Sequence, residues 1–142
     1  MQPQGETRSR ASIPRPRPPR SADDERAVRT STQAREFTRR RLAGMRPWDE
    51  SQVDDLLLVV SELVTNAERH GGGLIDFRLD VTRNTATVSV SDASEDAPLY
   101  RRHEPMVPGG FGWPIVLHLC REVGVTVRAG GKTIHAVVPL GQ

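Results

Sequence analysis

Ser61-Glu62-Leu63-Val64-Thr65-Asn66-Ala67-Glu68-Arg69-His70-Gly71 closes the longest helical pattern in this 142-residue chain. Val53, Leu57, Val60, Val64 and Ala67 recur at the three- and four-residue spacing of one helix face. Ser51 with Asp54 forms a capping-box-like start, and Gly71, Gly72 and Gly73 end the run, so the spacing predicts an amphipathic helix over about residues 51 to 70. At about 100 degrees per residue, Asp55, Glu62, Asn66 and Arg69 fall in one stripe opposite the apolar face, a polar row directed away from the core. Glu62 and Asn66 stand one turn apart. A carboxylate orients or deprotonates a hydroxyl, and a carboxamide oxygen is a hard ligand for Mg²⁺, so the pair suits metal-assisted phosphoryl transfer. The plain alternative is two solvated helix residues.

Upstream, Ser21 reads as an N-cap, Asp23, Asp24 and Glu25 complement a helix dipole, and Ala27, Ala34, Phe37 and Leu42 supply an apolar stripe. A first helix to about Leu42 follows, broken by Gly44 and Pro47. Residues 1–21 mix Pro, Arg, Ser and Gln with almost no large apolar side chain and read as a disordered tail, leaving 22–142 as one domain. Downstream, Ile75, Phe77, Leu79 and Val81 alternate with polar residues, as do Ala86, Val88 and Val90, so two strands pair as a hairpin about Arg83 and Asn84. Asp92 sits at the exit of the second. Residues 93–110 carry three prolines and no sustained period and form a candidate lid. Ile115, Val116, Leu119 and Cys120 mark a third helix, with Pro114 in its first turn. Strands near 123–129 and 132–139, joined by Gly130 and Gly131, close the chain. Helices grouped against an antiparallel-rich sheet give an α+β, two-layer sandwich.

Composition narrows the options. The longest apolar run, Leu56 to Val60, is far short of the roughly 20 residues that span a bilayer, and the basic N-terminus lacks the apolar core of a secretory signal, so the expected location is the cytoplasm. Cys120 is the only cysteine, which excludes an internal disulfide and a cysteine-cluster metal site. His70, His103, His118 and His135 show no metal-ligand spacing. The net charge of +2 arises in the first 20 residues, where five arginines face Glu6 alone; the remainder is mildly acidic and gives no reason to expect direct nucleic-acid binding.

Taken whole, Ser61 to Gly71 resembles the N-box of the GHKL (Bergerat-fold, histidine-kinase-like) ATPase superfamily, in the form found in anti-sigma-factor serine/threonine kinases. Three further segments fall in that family's order. Asp92 matches the aspartate of the first glycine box, Gly109-Gly110-Phe111-Gly112 resembles the second glycine box, and Gly131-Lys132-Thr133 matches the closing Gly-Lys-Thr. The resemblance covers about residues 25 to 140. It implies a mixed, mostly antiparallel sheet with helices on one face, and ATP and Mg²⁺ as cofactors. By the same resemblance Glu62 is the general base and Asn66 the Mg²⁺ ligand, Asp92 accepts from the adenine amino group, Gly110 and Gly112 let backbone amides approach phosphate, and Thr133 lies near adenine. Arg69 and His70, at the end of the N-box, are carried over as nucleotide contacts. The implied partners are a sigma factor and a small STAS-type anti-anti-sigma antagonist, the phosphoryl acceptor, with homodimerisation expected and no membrane association.

This sequence also departs from the family pattern. Asp92 is followed by Ala93-Ser94-Glu95-Asp96 where the wider superfamily has Asp-x-Gly-x-Gly, and Phe111, Trp113 and Pro114 replace more usual residues of the second box. The alternative is therefore the same fold used as a non-catalytic or weakly nucleotide-binding module that sequesters a sigma factor or antagonist.

Overall fold

Thr30 opens the first long helix. Its hydroxyl accepts from Gln33 N at 3.1 Å, and the Gln33 side chain accepts in return from the Thr30 backbone N–H at 3.3 Å. This reciprocal cap halts any helix arriving from upstream, so α1 (Ser31–Ala43) starts nine residues after the first helical position that a cap at Ser21 implies. Residues 24–26 form a separate helical turn. The structure, a computed structural model, describes residues 24–45, 47–96 and 112–141. The basic tail and most of the candidate lid lie outside the described residues.

The second helix, α2 (Glu50–His70), by contrast begins slightly early, because Asp49 is the better cap: its carboxylate accepts from Ser51 N at 2.9 Å and Ser51 Oγ at 2.8 Å. The chain continues through β1 (Leu74–Val81), β2 (Thr85–Asp92), α3 (Gly112–Leu119), β3 (Glu122–Arg128) and β4 (Gly131–Pro139). Sheet order is β1-β2-β4-β3, and every pairing among the described strands is antiparallel. The result is the expected α+β two-layer sandwich.

Parity along the strands decides what faces the helices. Ala86, Val88 and Val90 of β2 and Ile134, Ala136 and Val138 of β4 are buried in one cluster with Leu56, Val59, Val60, Leu63, Val64 and Ala67 of α2. The buried face of α2 is wider than the sequence stripe, because α1 and α3 pack on it as well as the sheet. Phe37 of α1 meets Phe77 of β1 edge-on, with ring centroids 5.9 Å apart. The other face of the sheet is polar, with Ser89 Oγ 3.1 Å from His135 Nδ1 and Ser91 Oγ 2.7 Å from Thr133 Oγ1.

Ile75 departs from its expected place. The β1–β2 register shifts between Leu74 and Asp76, and this bulge turns Ile75 outward, leaving it 52% exposed. The outer edge of β1 is covered where Leu79 N donates to Glu25 Oε2 at 2.6 Å and the Leu79 carbonyl accepts from Arg41 at 3.5 Å. Trp48 behaves as the packing residue expected, its ring nitrogen donating to Leu42 O at 3.1 Å. Cys120 is half-buried against the core, and burial pushes its thiol up to about 11, which makes it inert. Among the described residues no helix is long and apolar enough to cross a membrane.

Leu63 is central to the contact between α2 and the sheet. Leu63→Ala is expected to cost about 2–5 kcal/mol in urea-induced unfolding, and a loss below about 1 kcal/mol would contradict this packing.

Candidate functional site

β2 ends in a charge where the alternation demands an apolar residue. Asp92 follows Ala86, Val88 and Val90 on the helix-facing side and is 0% exposed. An isolated carboxylate cannot remain charged there without a partner. The β2–β4 register supplies one, since Asp92 stands directly opposite Lys132, itself only 2% exposed. Lys132 Nζ donates to Asp92 Oδ1 at 3.0 Å, and Ser94 N donates to the same oxygen at 2.9 Å. Nζ also lies 2.9 Å from Oδ2, so the ammonium faces both carboxylate oxygens, and buried Oδ2 meets no donor besides this ion-pair contact.

Two glycines let the backbone close around this carboxylate. A Cβ on Gly71, just past the end of α2, would stand 2.5 Å from both Cγ and Oδ2 of Asp92. A Cβ on Gly131 would overlap the Asp92 carbonyl. Ala93 N donates to Gly71 O at 2.9 Å and fastens the exit of β2 to the end of α2. The glycine run after the N-box segment is thus a close-approach device as well as a helix terminator.

Glu62 and Asn66 lie on α2 upstream of Gly71. Both are half-buried, not turned wholly to water as the polar stripe suggests. Burial raises the Glu62 carboxyl above its ordinary range, and the charge of Arg69 partly offsets the rise. Arg69 and His70 are exposed in the last turn, where cationic side chains also complement the helix dipole.

The structure does not bring Thr133 to Asp92. One residue past Lys132, its side chain points to the opposite face of the sheet, where Oγ1 meets Ser91 and accepts from Arg128 at 2.8 Å. Strand parity makes Lys132 the neighbour of Asp92 and excludes Thr133. Sequence reasoning missed Lys132, although two signals were available: it is the only lysine among twenty basic residues, and its parity on β4 matches the buried set. Gly112 is the first residue of α3, while Gly110, with Gly109 and Phe111, lies outside the described residues. Trp113 packs against the core, whereas His118, which helical packing would have sheltered, is exposed.

Beside the ion pair the sheet is apolar and open. Val127 is paired with Lys132 and Val125 with Ile134, so both valines lie on the helix-facing side, yet Val127 is 50% exposed. Among the described residues, no group of three or more His, Cys, Asp or Glu could hold a metal ion.

Asp92→Ala leaves Lys132 as a lone buried charge. Its expected cost in chemical unfolding is about 3–5 kcal/mol, and a loss under about 1 kcal/mol would show that the pair is solvated. Gly71→Ala is expected to destabilise the domain by about 1–3 kcal/mol, because either Asp92 or the end of α2 must give way. An unchanged unfolding midpoint would contradict that contact.

No curated protein matches the chain. The family profile described as the histidine kinase-like ATPase domain matches residues 22–138, a span that runs from just before the first described turn through β4 and contains Glu62, Asn66 and Asp92. The chain therefore belongs to the histidine kinase-like ATPase domain family.

Proposed function

We propose that this domain is an ATP- and Mg²⁺-dependent protein serine/threonine kinase that also acts as an anti-sigma factor, binding a sigma factor and phosphorylating an anti-anti-sigma antagonist. The observation that carries the reading is the buried Asp92 carboxylate at the end of β2, whose Oδ2 meets no donor besides the Lys132 ammonium. An adenine amino group would be a second donor to it, and a purine without that group would supply none. The open valines of β3 offer an apolar wall beside it.

The spacing along α2 supports the rest. At a rise of about 1.5 Å per residue, Asn66 stands roughly 7.5 Å and Glu62 roughly 13.5 Å along the axis from Gly71, which touches Asp92. The sequence Asp92, Asn66, Glu62 thus follows the order of base, phosphates and acceptor hydroxyl along a nucleoside triphosphate. Bound ATP supplies the γ-phosphoryl group, and Mg²⁺ neutralises the charge on its oxygens. Asn66 Oδ1 would hold the cation. Glu62 would take the proton of the antagonist's serine or threonine hydroxyl, and its raised carboxyl makes it a stronger base than a solvated glutamate. Arg69, His70 and the backbone at Gly112 are assigned to nucleotide contact. The cytoplasmic setting and the homodimer belong to the same proposal.

A non-catalytic form of the same anti-sigma module is the second reading. It is favoured by the turn after β2, where Asp92 Oδ1 is already satisfied and Glu95 Oε2 accepts from Gly130 N at 2.8 Å.

Transfer from radiolabelled ATP to candidate antagonists separates the two. The kinase reading expects transfer by the wild type and a loss of about 10²- to 10⁴-fold in Glu62→Gln, with sigma-factor binding retained. Tight partner binding with no transfer by the wild type would leave only the module. The rate should fall as pH is lowered through a Glu62 ionisation lying above the ordinary carboxylate range, because only the deprotonated form accepts the proton. Arg69→Ala removes the offsetting charge and should move that limb to still higher pH. A limb at the ordinary carboxylate position in both proteins would exclude Glu62 as the base.

A further inference from the structure

Between the end of α1 and the start of α2 lies a groove of about 590 Å³ whose apolar lining includes Leu42, Met45, Trp48, Val53 and Leu57. Met45 is 46% exposed within it. Glu50 and Asp54, one turn apart on α2 and both exposed, put two carboxylates on its rim, and Arg39 of α1 offsets only one of them. The groove stands at the opposite end of α2 from Asn66 and Gly71, so a nucleotide site does not account for it. An apolar trough with a negative rim suits a basic peptide that loses little freedom when it binds. The chain carries such a peptide in Ile13-Pro14-Arg15-Pro16-Arg17-Pro18-Pro19-Arg20. Its prolines favour the extended polyproline II form that aromatic-lined grooves accept, and its arginines can lay their stems on apolar surface while their guanidinium groups reach carboxylates.

We infer that residues 13–20 dock into this groove of their own chain, with the prolines and arginine stems against its apolar lining and the guanidinium groups on Glu50 and Asp54. The path of the chain brings the two together. Glu25 accepts from the N–H of Leu79 and Arg41 donates to the carbonyl of the same residue, so the chain enters the domain beside the last turn of α1, at the end where the groove lies. The link from Arg20 to Asp24 spans up to about 14 Å when extended. Charge favours the same pairing, since five arginines face Glu6 alone in the first 20 residues and the remainder of the chain is mildly acidic. So short a tether makes a weak contact sufficient. It holds the segment at an effective concentration on the order of 1 mM, so a peptide that binds with a Kd of about 0.1 mM when free is docked about nine-tenths of the time when attached.

The test is heteronuclear NMR of the full chain, comparing the wild type with a tail variant that carries Arg15→Ser, Arg17→Ser and Arg20→Ser. The Trp48 indole and the backbone amides of Val53 and Leu57 should shift between the two, while Val90, in the core of the sheet, stays in place and reports an intact fold. A synthetic peptide of residues 12–21 should shift the same groove signals in the tail variant and bind the wild type about tenfold more weakly, because there the groove is taken. Adding Glu50→Gln and Asp54→Asn to the tail variant should weaken the peptide at least about threefold. Identical groove signals in wild type and tail variant, equal peptide affinity for both, or an affinity that ignores the loss of the two carboxylates would overturn the inference. Unlabelled wild type mixed with the labelled tail variant should leave the variant's groove signals unmoved. Movement would assign the groove to the tail of a second copy and overturn docking within one chain. None of these signals depends on nucleotide, so the outcome is independent of the kinase reading.

Discussion

The contact between Asp92 and Lys132 fixes the geometry of everything around it. Two charges withdrawn from water at the end of a sheet are tolerated only if they face each other closely, and antiparallel pairing of β2 with β4 sets them directly opposite. That requirement fixes the register of the two central strands, because a slip of one residue would bury Thr133 opposite Asp92 and turn Lys132 to the polar face. It also fixes the end of α2, since the carboxylate leaves no room for a side chain at residue 71. Sheet and helix are therefore locked together at the point where the proposed nucleotide base is held.

The remainder of the site inherits its position from that lock. α2 is buried along a broad face between the sheet and two other helices, so Glu62 and Asn66 have little rotational choice. Their half-burial matters chemically. A fully exposed glutamate is a weak base, whereas one partly stripped of water holds its proton more tightly and is better matched to taking one from a hydroxyl. The family membership makes a nucleotide the natural ligand, and the buried Asp92 carboxylate is the local feature of this chain proposed to meet its base.

Element types and their order were legible in the sequence because the periods were clean: 3.6 residues across Val53 to Ala67, and two across Phe77–Val81 and Ala86–Val90. Boundaries were less so. Ser51 carries a cap-like signal, yet Asp49 makes the observed cap, and Thr30 caps a helix start that the sequence pattern ran through, since several Ser, Thr and Asp side chains compete and local geometry chooses among them. The bulge at Ile75 was invisible to alternation, which assumes an unbroken ladder. Motif order proposes Glu62, Asn66 and Asp92 as site residues, whereas the partner of Asp92 was legible only as an isolated lysine of matching strand parity. Motif order places Gly131-Lys132-Thr133 as a unit, while the pleat separates Lys132 and Thr133 onto opposite faces. Only cross-strand register, a property of pairing between segments 40 residues apart, shows which of the two meets the carboxylate.

The central claim is that a nucleotide binds with its base at Asp92. Isothermal titration of ATP with Mg²⁺ into the wild type and into Asp92→Asn tests it most directly. Saturable binding of one equivalent by the wild type, lost or weakened roughly a hundredfold in a folded Asp92→Asn, is the expected result. No saturable heat with the wild type, or equal affinity in both proteins, would contradict it.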